Sequence, residues 1–310
     1  MIDVTLIGTS ALLPIPERAL TAAVLFCEGQ SILFDCGEGT QTAARKAGVS
    51  LMRTDIIALT HYHGDHVFGL PGLLQTMCHA ERTEPLYITG PKGLAAALEP
   101  ILKLAWKLSY EVVPIELPAD GLQLSELGGW SAAAKLSAFQ TEHKVSSQGY
   151  CFELRRAGKF LPDKAKSLGV PINQWSILQR GQSIQLDGKT ILPEQVLGEP
   201  RRGLKFVFTG DTTACENLID AATGADLMIC EATYGKNEQT QIAADYGHMT
   251  FAQAATVAKC AGVKELWLAH YSQRIKDPQK YLPNATAIFA DTAVGYDGMS
   301  TTLRFEDNRQ

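Results

Sequence analysis

An α/β fold is predicted for this chain, with sheets covered by helices on their outer faces. Three observations carry the prediction. Strand-like runs come first and are followed by strands mixed with helical segments, an order that suits such a layered domain. The 310 residues, 45% of them hydrophobic, can bury one large core or two modest ones. Directly after an apolar run at residues 55–60, the chain reads His61-Tyr62-His63-Gly64-Asp65-His66, a dense group of polar side chains at the end of a buried strand.

The elements follow in order. Residues 4–7, 22–27 and 32–34 have strand composition, and Glu28-Gly29-Gln30-Ser31 between the last two signals a hairpin turn. Gly37-Glu38-Gly39-Thr40 leads into a helix over residues 41–47. Beyond the histidine cluster, residues 87–89 read as a strand and 94–107 as a helix, with further strands at 110–117, 132–139 and 149–154. Core-like segments return with strands at 205–208, 227–230 and 265–269, helices at 215–222, 251–261 and 278–290, and a last strand at 301–305. No internal repeat is present, and residues 1–310 are expected to form a single domain.

Residues 155–203 differ from their surroundings, with few long apolar runs and several glycines and prolines. They hold nine lysines and arginines against four acids, a local surplus of five in a chain whose net charge is −5. The segment reads as an inserted arm that grips a polyanion, with a solvated surface insertion as the plainer alternative. Globally, the charge does not advertise a nucleic-acid binder, and no DNA partner is expected. The seven cysteines show no C-x-x-C pair, which fits free thiols in a reducing compartment. The first residues start as a strand rather than as a leader, and no apolar stretch approaches the ~20 residues that span a bilayer. A cytoplasmic protein without a membrane partner is expected.

Unpaired imidazoles and carboxylates are costly to bury, so the cluster at 61–66 needs a compensating partner. A metal supplies one, because neutral imidazole nitrogen and carboxylate oxygen both suit zinc and the cation offsets the negative charge. The ligand types alternate along an expected loop and therefore fan toward two neighbouring points, the pattern of a two-metal hydrolase. One hexapeptide provides too few ligands for two ions. His143, Asp211 and His270 each follow a strand-like run, so they can converge on the same sheet edge. His79 matches no such position and reads as structural, and Cys36 and Cys230 read as buried apolar thiols.

These residues make the chain resemble the metallo-β-lactamase superfamily, and within it the ribonuclease Z (tRNA 3′-processing endonuclease) family. The resemblance runs over nearly the whole length. It is carried by Gly8-Thr9, Asp35-Cys36-Gly37-Glu38-Gly39-Thr40-Gln41, Thr60 with the hexapeptide, Gly69-Leu70-Pro71-Gly72-Leu73-Leu74, and His143 with Gly149-Tyr150. Gly210-Asp211-Thr212, Glu231-Ala232-Thr233, Gly247-His248-Met249-Thr250 and His270-Tyr271-Ser272-Gln273-Arg274 complete it. The implied fold is an αββα sandwich, two packed mixed sheets with helices on both outer faces, plus the inserted arm at 155–203. The resemblance implies that His61, His63 and His143 bind one zinc, that Asp65, His66 and His270 bind the other, and that Asp211 bridges them. A mixed nitrogen and oxygen set also accepts Mn2+ or Fe2+. Two such ions about 4 Å apart can share a hydroxide and stabilise both the attacking and leaving oxygens of a phosphodiester. Asp65 would orient the nucleophile or take its proton. Glu231 and His248 would form a carboxylate–imidazole pair that protonates the leaving oxygen or holds the phosphate.

The expected substrate is precursor tRNA, whose 3′ trailer is removed, and a homodimer is implied in which one subunit's arm serves the other's site. Substrate contacts are expected from the Gly37 to Gly39 loop with Thr40, from Arg274, and from the arm residues Lys159, Lys164 and Lys166. The chain also departs from the family pattern. Ala19 stands where an asparagine is usual, Met249 replaces a serine, Ile275 replaces a tyrosine, and Val170-Pro171-Ile172-Asn173-Gln174-Trp175 lacks the usual Gly-Pro arm tip. The altered tip motivates the alternative, the same chemistry on a small or non-tRNA phosphodiester. Thioester hydrolysis fits less well, since nothing in it calls for a basic arm, and an RNA-binding scaffold with a vestigial site would have eroded at least one ligand.

Overall fold

The computed structural model describes residues 1–306. In its first part, β1 (Ile2–Gly8), β2 (Ala22–Cys27), β3 (Gln30–Phe34), β4 (Ile56–Ala58), β5 (Leu86–Thr89) and β6 (Val112–Ile115) lie side by side in chain order. The first pairs are antiparallel, and from β3 onward they are parallel. The second sheet is built from β7 (Leu122–Gln123), β8 (Ala134–Gln140) and β9 (Gln148–Arg156). A separate hairpin, β10 (Ile184–Leu186) with β11 (Lys189–Ile191), intervenes before β12 (Arg201–Phe208), β13 (Leu227–Glu231), β14 (Leu266–Ala269) and β15 (Thr292–Val294). The last strand, β16 (Ser300–Leu303), returns to the first sheet as an antiparallel neighbour of β1.

The period of two along each strand sorts the apolar residues into layers. On β3, Ile32 and Phe34 face the second sheet while Leu33 faces out, and on β12 Phe206 and Phe208 face inward while Val207 faces out. The Phe34 ring lies 5.4 Å from both Phe206 and Phe208, so aromatic packing joins the two sheets. On the outer face of the first sheet, α1 (Thr40–Lys46), the single turn α2 (Gly64–Val67), α3 (Leu70–His79) and α4 (Leu94–Leu104) bury Leu73, Leu74, Met77, Leu94 and Leu98. After α5 (Pro162–Ser167) and α6 (Trp175–Gln179), the outer face of the second sheet is covered by α7 (Glu216–Ala222), α9 (Phe251–Ala261) and α10 (Leu282–Thr286), while α8 (Thr240–Tyr246) sits beside the site. The expected αββα sandwich is therefore observed.

Several boundaries differ for local reasons. The helix expected over 94–107 stops at Leu104 because Trp106 takes a positive φ of 58°. The helix expected over 278–290 divides into a 3-10 turn at Pro278–Tyr281 followed by α10. Helix α3 is unannounced because Pro71 and Gly72 look like breakers, yet both fall in its first turn, where a missing N–H costs nothing. The segment expected to be an arm forms a small lobe with its own core of Ala165, Val170, Leu178, Ile184, Ile191 and Val196. Its outermost residues are not lobe at all: β9 runs to Arg156 and β12 starts at Arg201, and these two arginines are cross-strand partners. Among the described residues, no helix is long and apolar enough to cross a membrane.

Candidate metal centre

The parallel strands of both sheets deliver their C-terminal ends to one edge. His61 lies just beyond β4, His143 beyond β8, Asp211 beyond β12 and His270 beyond β14, while Glu231 is the last residue of β13. Two contacts lock the sheets together directly beneath them: the Tyr150 hydroxyl donates to Leu59 O at 2.7 Å, and Gln148 N donates to Thr60 O at 2.9 Å. The hexapeptide is not a plain loop. Gly64–Val67 makes one helical turn, which points Asp65 and His66 to one side while His63 stays with His61.

Two ligand groups result. His61, His63, His143 and Asp211 form one, and Asp65, His66 and His270 the other, with the ligand atoms of each lying within 4.8 Å of one another. Asp211 stands between them: its Oδ2 is 3.7 Å from His61 Nε2 and 3.5 Å from His66 Nε2, and its Oδ1 is 3.1 Å from His270 Nε2. Four imidazoles present Nε2 to the centre because an oxygen holds the other nitrogen. His66 Nδ1 is 2.7 Å from Asp35 Oδ2, His61 Nδ1 3.1 Å from Thr60 Oγ1, His143 Nδ1 2.8 Å from Gly247 O, and His270 Nδ1 3.0 Å from Thr233 Oγ1. His63 is turned the other way, with Nδ1 2.8 Å from His61 Nε2. The oxygen partners set the tautomer of these four rings. Gly247 is required here, since a Cβ at that position would meet His143 Nδ1 at 2.8 Å and its φ is +75°.

The residues fit a divalent metal. His66 Nε2, Asp211 Oδ1 and His270 Nε2 are buried without a hydrogen-bond partner and cluster at one point, where a bound cation would complete them. The donor set is imidazole and carboxylate, suited to a divalent cation. The surroundings tune the groups. Burial pushes His61 down to about 2 and lowers His143, so both are neutral and able to ligate. Burial would raise Asp65 and Asp211, but the facing histidines outweigh it and hold both well below the carboxylate range.

His248 lies within ligand distance of Asp211 and His270, yet its chemistry differs. Its Nδ1 is 2.9 Å from Glu231 Oε1. Burial would lower its pKa, but the Glu231 carboxylate prevails and lifts it to about 9. Glu231 thus engages Nδ1 of this ring beside the two ligand groups. Glu231 is itself fixed by Thr212 N, Met249 N, Thr233 N and the Thr233 hydroxyl. The chain reaches this position because α8 ends at Gly247 and α9 starts with a capping box between Thr250 and Gln253. Met249 is fully buried and meets Glu231 through its backbone, so the departure from serine leaves the pair intact. Ile275 and Ala19 are likewise engaged through backbone atoms, with Arg18 and Asp297 respectively.

Other expected contacts are corrected by the structure. Gly37 and Thr40 are buried and do not face the site. A Cβ on Gly37 would meet Asp65 O at 1.9 Å, and the Thr40 hydroxyl donates to Gly37 O, so both serve packing and the start of α1. Gly39 is exposed as the N-cap of that helix, and of this loop Glu38 lines the site. Arg274 lines it as well, and so does Lys144, which the sequence reading passed over. Lys159, Lys164 and Lys166 are exposed on the lobe and do not line it. The lobe joins the sheet at the Arg156–Arg201 end, seven residues along β12 from Phe208, or roughly 23 Å from the site end. Within residues 157–200 there are five basic and four acidic residues, so most of the positive surplus belongs to Arg155, Arg156, Arg201 and Arg202 at the lobe's base.

Asp35, Thr60 and Thr233 stand in the motifs of the resemblance but carry no role read from the sequence, because each acts through a neighbour. Asp35 is fully buried and also accepts from Thr60 N at 2.8 Å and the Thr60 hydroxyl. It therefore anchors His66 directly and His61 through Thr60. Asp35→Ala is expected to weaken metal binding about 10- to 100-fold, measured by chelator competition, and unchanged affinity would remove this anchoring role.

Residues 2–174 match the family model described as anti-Pycsar protein Apyc1, and residues 195–271 match a beta-lactamase superfamily domain. Ribonuclease Z of Agathobacter rectalis is 42% identical over 308 residues, covering 99% of this chain and 100% of that protein. Ribonuclease Z of Lachnoclostridium phytofermentans is 42% identical over 310 residues, covering 99% and 100%. Among solved structures, human tRNase Z short form superposes with a TM-score of 0.68 at 27% identity, covering 98% of this chain and 100% of that one. Identity over full length with no major insertion or loss makes the assignment plain: the chain belongs to the ribonuclease Z family, on the metallo-β-lactamase fold.

Proposed function

We propose that this protein is a metal-dependent endoribonuclease that removes the 3′ trailer from precursor tRNA. The observation that carries the reading is the seven-ligand cluster with the Glu231–His248 pair beside it, in a chain 42% identical over its length to ribonuclease Z. His61, His63 and His143 would hold one ion and Asp65, His66 and His270 a second, with Asp211 shared; zinc is the proposed metal at two per subunit. Bound there, the ions would supply an activated water at neutral pH and neutralise charge on the phosphate oxygens.

The chain's own residues account for the remainder. Asp65, held by Leu12 N at 2.8 Å, orients the attacking water. His248, protonated through Glu231, donates a proton to O3′ as the P–O3′ bond breaks, leaving a 3′-hydroxyl on the tRNA and a 5′-phosphate on the trailer. Lys144 and Arg274 in the wall supply positive charge for flanking phosphates. The test is cleavage of a defined precursor tRNA by metal-loaded protein with both product ends mapped. If the RNA stays whole while bis(p-nitrophenyl) phosphate is hydrolysed, the tRNA assignment falls and the small-phosphodiester reading takes its place.

The lobe attaches far from its own site, which supports a homodimer in which each lobe, with Lys159, Lys164 and Lys166, serves the partner's site. The seven free cysteines suit the reducing cytoplasm, where precursor tRNA is made. Arg156 and Arg201 pair across the strands, so a two-residue turn can replace residues 157–200. The shortened chain should cut precursor tRNA at least about tenfold less well and with weaker salt dependence, while sparing small phosphodiesters. Mixing it with an Asp211→Ala chain should restore part of the tRNA activity. No recovery would show that the lobe does not act across subunits.

A further inference from the structure

The metal centre lies at the floor of a funnel of about 850 Å3. Its mouth is apolar: Leu12 is 66% exposed, Leu13 49%, Phe68 73%, Ile242 41% and Tyr246 60%. These side chains come from three separate parts of the chain, the loop before β2, the residue after α2, and α8. A contiguous apolar patch around a site for an anionic substrate calls for a ligand that is itself part apolar.

Phe68 shows how the patch is built. Its ring lies against Gly64 inside the ligand hexapeptide, where a Cβ would meet the ring at 2.3 Å. The glycine lets the ring settle beside the metal ligands with most of its surface open. Tyr246 ends α8 and is likewise open to solvent. Between these rims and the floor, Tyr234 sits 6.5 Å, ring to ring, from His248. Lys144 and Arg274 share the wall. Aromatic faces interleaved with cations are the means by which proteins hold unpaired nucleotides, bases on the rings and phosphates on the charges.

We propose that Phe68 and Tyr246 form a stacking collar for the nucleobases that flank the cut phosphodiester. Bases inside a helical stem present no free face to such a collar, so pairing the RNA across the cut excludes it. This rests on the endoribonuclease reading and adds to it which residues receive the bases beside the cut.

Two readouts test the collar. In the first, a fluorescent phosphorothioate hexaribonucleotide is titrated with the metal-loaded enzyme and followed by anisotropy, alone and annealed to its complement. Binding of the single strand, and roughly tenfold or greater weakening by Phe68→Ala with Tyr246→Ala, are expected. Phe68→Tyr and Tyr246→Phe should keep the affinity, since any aromatic ring offers a face. Equal binding of the duplex, or no effect of the alanines, overturns the collar and leaves the patch to a protein partner. In the second, precursor tRNA is compared with the same RNA carrying abasic riboses on both sides of the cut. The alanine variant should raise KM with little change in kcat, and its penalty should shrink on the abasic RNA; fully additive losses overturn the proposal. Wild-type enzyme that binds the single strand but never cuts the precursor would instead defeat the proposed function and leave the collar standing.

Discussion

Asp211→Ala is expected to abolish metal binding and reduce hydrolysis of every phosphodiester by at least about a thousandfold, because several kcal/mol of transition-state stabilisation would depend on ions held through this one carboxylate. Asp211 is 3% exposed and faces His61, His66 and His270 within 3.7 Å, so no other side chain can take its place. Without it, four imidazoles surround a gap and the two ligand groups lose their shared member. The measurements are metal content per chain by atomic absorption and initial rates on both precursor tRNA and bis(p-nitrophenyl) phosphate. Asp211→Asn keeps the shape with a weaker oxygen donor and should fall between the two. Full metal content with full activity in the alanine variant would remove Asp211 from the centre.

His248→Ala should give the opposite split, full metal content with kcat lowered about 10²- to 10⁴-fold, the usual range for a lost general acid. The imidazole is 2.9 Å from Glu231 and is held protonated by it, whereas the seven proposed ligands keep their own partners when it is removed. A leaving group of low basicity needs no such acid, so the loss should be small on bis(p-nitrophenyl) phosphate and large on RNA. Unchanged kcat on precursor tRNA would exclude His248 from the reaction. Loss of metal together with rate would make it a ligand instead of an acid. Measured side by side, the two variants separate holding the ions from moving the proton.

Much of the centre was legible in the sequence for a local reason. His61, His63, Asp65 and His66 fall within six positions, and a strand-like run before each of His143, Asp211 and His270 announces where it ends. The central strands were legible too, because residues 22–27 and 227–230 are buried on both faces and read as continuous apolar runs. The supporting groups were not. Asp35 reaches His66 across 31 positions, Thr233 reaches His270 across 37, and His143 meets Gly247 across 104. Gly37 and Thr40 resemble a phosphate-binding loop in composition, and only the burial of Gly37 against Asp65 and of Thr40 on Gly37 O shows that they pack the site. The basic surplus counted over 155–203 looked like one patch, but β9 and β12 claim its four arginines at 155, 156, 201 and 202.

The sequence by itself determined the layered α/β fold, the residues able to ligate and the family resemblance, because periodicity and ligand spacing act over a few neighbouring positions. The tertiary structure decided which nitrogen each histidine presents, which carboxylate raises His248, where the positive charge lies and which aromatic rings stay open at the mouth. Those properties depend on burial and on distances between strand ends, and neither exists until the two sheets have packed.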